Sequence, residues 1–175
     1  MKEQKEYDLV KDKETSLWLK KFTDQDIPLL TKWLDAEHIK PWFTDPQAWL
    51  DEVREREGEY SWIRHYIICK NSETMGFCQY YPYWKSGEDW HGNIPAEGTY
   101  SIDYLIGEVE NLQKGYAGAA VRLMGKLIAE EKDAKRIIVQ PETDNHASWN
   151  TLLSAGYSYD TANGLFLKNM FNSAV

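Results

Sequence analysis

The chain reads as an α/β protein built on a mixed, mostly antiparallel central sheet with flanking helices, and three observations carry that reading. Short apolar segments with strand-like alternation recur between amphipathic helical runs, in the order β-α-α-β-β-β-α-β-α-β-β. Two apolar segments, Tyr60–Lys70 and Met75–Tyr83, are separated by the polar turn Asn71-Ser72-Glu73, which is hairpin spacing. Finally, the apolar segment Ile102–Gly107 leads into Leu112-Gln113-Lys114-Gly115-Tyr116-Ala117-Gly118-Ala119-Ala120-Val121, a small-residue turn that opens a helix.

Each element has a local reason. Ser16–Phe22 alternates like a half-buried strand. Thr23 stands three residues before Asp26 and offers an N-cap for the amphipathic run Ile27, Leu29, Leu30, Trp33, Leu34. Pro41–Pro46 reads as a loop, followed by a polar helix from about Gln47 to Glu57. The hairpin follows, and then Trp84–Gly98, an irregular loop rich in Trp, Gly, Asp and Glu. Thr99–Gly107 is a strand, Gly115–Glu131 a helix and Lys135–Gln140 a short buried strand. Asn145–Ala155 reads as a helix stopped by Gly156, and strands near Tyr157–Tyr159 and Leu165–Lys168 finish the chain. No repeat or linker interrupts this order, so residues 1–175 are expected to form one domain, with 1–14 a frayed tail after the charged start Lys2-Glu3-Gln4-Lys5-Glu6.

Composition narrows the function. The 175 residues suffice to bury roughly 70% of the unfolded surface. A net charge of −8 without a basic stripe argues against a nucleic-acid partner and favours a cationic ligand. No apolar run approaches the ~20 residues of a membrane span, and no signal-peptide pattern opens the chain. Cys69 and Cys78 lie in apolar segments and read as reduced core thiols, which points to the cytoplasm. His38 and His91 match no zinc spacing, so no metal is expected. Nothing distinguishes a monomer from a homodimer.

The turn before the helix at 115–131 has the physics of an anion site. The first N–H groups of a helix lack intrahelical partners and sit at the positive end of its dipole, and small residues let a phosphate approach the backbone. Tight left-handed turns need the same residues, so both readings stand. A Gly-x-x-x-x-Gly-Lys-[Ser/Thr] run and a full Gly-x-Gly-x-x-Gly are both missing.

Taken together, Leu112-Gln113-Lys114-Gly115-Tyr116-Ala117 and the later Asn145-x-x-Ser148 … Ala155-Gly156-Tyr157 resemble the two motifs of the GNAT family of acyl-CoA-dependent N-acetyltransferases. Asp24-x-Asp26, Trp33-Leu34, His38, Trp42, Gly76–Tyr80, Ser86–Trp90 and Ile102-Asp103 resemble its aminoglycoside 6'-N-acetyltransferase branch. The resemblance implies a GNAT-like sheet and acetyl-CoA as co-substrate. Its phosphates would lie on Gln113, Lys114, Gly115, Tyr116, Ala117, Gly118 and Ala119, with Asn145 on the pantetheine arm or capping its own helix. A backbone N–H near Leu105 or Ile106 would polarise the acyl carbonyl, and Asp103 would act on the amine. Glu88, Asp89, Trp90, Gln140 and Glu142 would line the acceptor pocket, whose carboxylates and aromatic walls suit a small cationic amine. Gln140 stands where the branch carries an acidic residue, with Glu142 and Asp144 nearby.

Leu152 occupies the position where many members carry a tyrosine that protonates the departing thiolate, leaving Tyr104 and Tyr116 as possible stand-ins. The acceptor is expected to be an aminoglycoside. The alternatives are a protein, peptide or lysine-derived (siderophore-precursor) amine, or a non-catalytic acyl-CoA-binding module.

Overall fold

The computed structural model describes residues 11–170. Seven strands form one sheet: β1 (Leu17–Lys21), β2 (Arg64–Lys70), β3 (Glu73–Pro82), β4 (Thr99–Ile106), β5 (Arg136–Val139), β6 (Ser158–Asp160) and β7 (Leu165–Asn169). Their spatial order is β1-β2-β3-β4-β5-β7-β6, and every neighbouring pair is antiparallel except β4 with β5. Four α-helices, α1 (Ile27–Leu34), α2 (Pro46–Arg54), α3 (Tyr116–Ala129) and α4 (His146–Ser154), flank it in the expected order.

Strand alternation divides the core into two layers. Tyr100, Ile102 and Ile106 of β4 pack with Ala119, Ala120, Leu123 and Met124 of α3. Leu105 of β4 packs on the opposite face with Phe77, with Leu30, Trp33 and Leu34 of α1, and with Leu50 and Val53 of α2. Successive β4 residues therefore serve different faces: Asp103 shares the face of Leu105, whereas Tyr104 packs against the α3 layer.

Local chemistry fixes the helix starts. The Thr23 backbone N–H donates to Asp26 Oδ2 at 2.8 Å just ahead of α1. Asp45 Oδ1 accepts from Ala48 N at 3.1 Å and caps α2. Pro46, expected in a loop, is the first residue of α2, where its missing N–H costs no helical bond; the helix ends at Arg54 rather than near Glu57.

The expected strand from Tyr60 begins only at Arg64. Residues 60–63 turn instead, with Tyr60 N donating to Glu55 O (3.1 Å) and Ile63 N to Tyr60 O (3.0 Å). Aromatic alternation there mimics a strand, but Tyr60 and Trp62 pack on each other and Trp62 packs edge-on against Tyr81. Of the expected frayed tail, residues 1–10 lie outside the described residues. Lys11 is bridged to Trp18 and Asp12 N donates to Leu17 O at 2.6 Å, so residues 11–12 are tied to β1.

A gap in the sheet positions the site. β4 pairs with β3 as far as Ile106, but with β5 only at Thr99↔Arg136 and Tyr100↔Ile137. Gly107 N donates to Met75 O at 2.8 Å. By the alternation of an antiparallel ladder, the odd-numbered residues of β4 therefore bond β3. The backbone groups of Ile102, Tyr104 and Ile106 turn to the side that β5 leaves. Ile106 O there meets His38 Nε2 at 2.9 Å, which ties the chain after α1 to the end of β4.

Candidate active site

A cleft of about 340 Å³ opens at this gap, lined by Asp103, Tyr104, Glu88, Trp90, Gln140, Glu142, Asn145 and Ser148, with Trp42, Phe43 and Trp49 among its other walls. An adjoining cavity of about 470 Å³ shares Trp49, Tyr81, Glu88 and Asp103 and adds Glu52, Tyr60, Trp62 and Gln79. Asp103 belongs to both.

Its carboxylate is held by the sheet. Gln79, directly opposite on β3 and 2% exposed, donates from Nε2 to Asp103 Oδ2 at 3.0 Å. Burial pushes the Asp103 carboxyl up to about 7; the bond from Gln79 opposes this, and the charges of Glu52, Glu88 and Glu142 add to it. Burial also lifts Glu52 on α2 to about 7, again opposed by Gln79. The two acids interact, so they titrate as a pair around neutral pH, where a base must both hold and release a proton.

Glu88 is oriented from two sides. Trp90 Nε1 donates to its Oε2 at 2.7 Å, and the Tyr81 hydroxyl donates to the same oxygen at 3.4 Å. Trp90 is itself anchored edge-on against Tyr83, with centroids 5.0 Å apart. The tryptophan thus fastens the loop and aims the acid. Gln140 Nε2 donates to Gly164 O at 3.0 Å, and the Glu142 main-chain O accepts from Trp149 Nε1 at 3.1 Å, so the Gln140 side chain and the Glu142 backbone are fixed where both residues line the cleft. Asp89 is exposed and lines neither cavity.

On the α3 side, Gly115 is the N-cap with φ +80° and no side-chain cap, and Gln113 is also left-handed at φ +60°. Ala119 N donates to Gly115 O at 3.1 Å as the first helical bond, so the N–H groups of Tyr116, Ala117 and Gly118 have no partner within the helix. Ala119 is wholly buried and serves the core. Gln113 and Lys114 are exposed beside the turn. Lys70 adds a cation there, donating to the Tyr116 hydroxyl at 3.0 Å. The uncapped N–H groups, the left-handed glycine with open space around it and the neighbouring cations fit a pyrophosphate.

Asn145 caps α4, its Oδ1 accepting from Ser148 N at 3.2 Å, and also lines the cleft. Of the two backbone amides expected to meet an acyl carbonyl, that of Leu105 faces β3, whereas those of Ile106 and its neighbour Tyr104 face the gap.

Glu52, Gln79 and Tyr81 are site residues that the sequence reading passed over. Gln79 left a signal, a polar residue inside the apolar run 75–83. Glu52 left none: it reaches the site because α2 packs its Leu50/Val53 stripe into the core, which turns Trp49 and Glu52 toward the cavity. Among the described residues no group of three His, Cys, Asp or Glu side chains is arranged to hold a metal ion, and no helix is long and apolar enough to cross a membrane.

An uncapped helix N-terminus on one face of a split parallel pair, with a carboxylate in the cleft at that split, is an arrangement that suits transfer of an activated acyl group to an amine. The family model described as an acetyltransferase (GNAT) domain matches residues 23–163, and the chain belongs to that family. It is 26% identical over 161 residues to the aminoglycoside N(6')-acetyltransferase type 1 of Klebsiella pneumoniae, covering 86% of this chain and 78% of that protein. The solved structure of the aminoglycoside acetyltransferase AAC(6')-Ib in complex with coenzyme A and kanamycin is similar at TM-score 0.74 and 25% identity, covering 88% of this chain and 95% of that one. The complex of AAC(6')-Ib with paromomycin and acetyl-CoA matches in fold at TM-score 0.74 and 24% identity, over 87% of this chain and 93% of that one.

Proposed function

We propose that this chain transfers the acetyl group of acetyl-CoA to a primary amine of a small polycation, an aminoglycoside or a molecule of similar charge. The observation that carries this reading is Asp103: a carboxyl raised to about 7, bonded to Gln79, at the edge of a gap in the sheet and among further acids.

The N–H groups of Tyr116, Ala117 and Gly118, with Lys114 and Lys70 alongside, would hold the donor's pyrophosphate, and Asn145 its arm. When bound, acetyl-CoA supplies a thioester carbonyl open to attack. The chain supplies the rest. Glu88, Glu142 and the aromatic walls draw in an ammonium, which at neutral pH is almost wholly protonated, with a reference pKa near ~10. Asp103 accepts its proton, directly or through water, a role worth ~10²–10⁴ in rate. The Ile106 or Tyr104 amide faces the gap and polarises the carbonyl.

The test is coenzyme A release from acetyl-CoA over a panel of amines: kanamycin- and neomycin-type aminoglycosides, spermidine, lysine, hydroxylysine and a short basic peptide. Turnover on aminoglycosides that falls by ~10² or more in Asp103→Ala supports the reading. Turnover restricted to the peptide or the lysine derivatives removes the aminoglycoside while keeping the donor. Binding of acetyl-CoA without turnover on any amine makes the chain a binding module.

A further inference from the structure

The transfer described above leaves a thiolate, and the residue that would most simply meet it is missing: Leu152 is apolar and wholly buried. Two hydroxyls stand close by. Tyr104 Oη and Ser148 Oγ, on β4 and α4, lie 2.6 Å apart, and both residues line the cleft at the gap.

We propose that Tyr104, held by Ser148, donates a hydrogen bond to the thiol sulfur of bound coenzyme A and stabilises it as the leaving thiolate. This rests on the reading of acetyl-CoA as donor. Adjacent strand residues project to opposite faces, so Asp103 and Tyr104 reach the gap from opposite sides of β4. The amine with its base then has one face, and the departing sulfur the other, which is also the face carrying α3 and its uncapped turn. The hydrogen-bond inventory closes. A hydroxyl has one donor and two acceptor sites, so Ser148 donating to Tyr104 Oη leaves the tyrosine O–H free for sulfur. Tyr157, whose buried hydroxyl has no hydrogen-bond partner among the described residues, does not line the cleft.

Magnitude decides between donating a hydrogen bond and giving up the proton. Burial raises the Tyr104 phenol to about 12, above the range in which an alkyl thiol ionises, so the proton stays on oxygen. In the step, the C–N bond forms and the C–S bond breaks with its electron pair on sulfur. Asp103 takes the ammonium's first proton and passes it to water before the attack; the second, released from nitrogen as the amide forms, then goes to the re-ionised Asp103, and the thiolate takes its own proton later from water.

The experiment titrates coenzyme A bound to the protein, following the ultraviolet absorbance of the thiolate as the difference from free protein, with dissociation constants measured at low pH where the thiol is protonated. No acceptor amine is present, so the result is independent of the acceptor's identity. In the unaltered protein the bound thiol is expected to ionise about one pH unit below that of free coenzyme A titrated alongside. Tyr104→Phe should return it to the free value, a shift of about tenfold in proton affinity, with the dissociation constant changed less than ~3-fold. Ser148→Ala keeps the phenol but removes its anchor and should give an intermediate shift.

An identical titration in the unaltered protein and Tyr104→Phe, with coenzyme A bound to both, overturns the inference and leaves the proposed function standing. Should Tyr104→Phe not fold, an unchanged titration in Ser148→Ala overturns it and a raised one supports it. Failure of the unaltered protein to bind coenzyme A overturns both proposals.

Discussion

Gln79 Nε2 lies 3.0 Å from Asp103 Oδ2 across a directly opposed pair of β3 and β4, so the register of the sheet holds the carboxylate. The bond favours the ionised form of Asp103, while burial and the nearby charge of Glu52 favour the neutral form.

Opposed shifts of the pH profile follow. The base works ionised, so acetylation rises with pH through about 7. Gln79→Leu removes the donor and should move that rising limb to higher pH. Glu52→Gln removes a repelling charge and should move it lower. Profiles of kcat/KM for the two variants that shift the same way would overturn this account. Stability carries the same sign. Folded Asp103 keeps its proton up to about 7, whereas the unfolded carboxyl loses it near 3.8, so between those values stability falls as pH rises. Asp103→Asn does not titrate, so its Tm relative to the unaltered protein should rise between pH 5 and pH 8, by about 2–4 °C per kcal/mol recovered.

Gly115 has φ +80°, and nothing lies within 4 Å of where its side chain would begin, so a substitution there tests the backbone rather than packing. Gly115→Ala should cost about 1–2 kcal/mol of left-handed strain. It should also raise the KM for acetyl-CoA while changing the KM for the amine little. Equal rises in both constants would remove the turn from donor binding.

Glu88 is exposed, yet it accepts from both Trp90 and Tyr81. Glu88→Gln should raise the KM for a polycationic acceptor about tenfold, an upper figure for one charge in a partly wet site. The difference between variant and unaltered protein should shrink as salt is raised from 0.05 to ~0.5 M, because exposed charges are screened. A salt-independent loss would make Glu88 a fastener of the loop rather than a contact for the cation. Trp90→Phe, which keeps the edge contact with Tyr83 but not the indole donor, should show a smaller effect of the same sign.

The sequence by itself determined the element order, the turn at Gly115 and the place of Asp103 on a strand ahead of that turn, while it left Asn145 open between a helix cap and a donor contact. What it determined is written in local periods and in residues with restricted backbone choices, such as the glycine that turns left-handed before α3. It misjudged Tyr60–Ile63, where aromatic alternation mimics a strand, and it could not separate Glu88 from Asp89, because a loop has no period to say which neighbour faces inward.

Only the tertiary structure decided that β5 leaves β4 after Tyr100, that Glu52 on α2 meets Gln79 and Asp103, and that Asp103 and Tyr104 address the gap from opposite faces. The physical reason is range. Burial and charge, which lift Asp103 and Glu52 to about 7, sum over groups far apart in the chain, and no local pattern of residues encodes that sum.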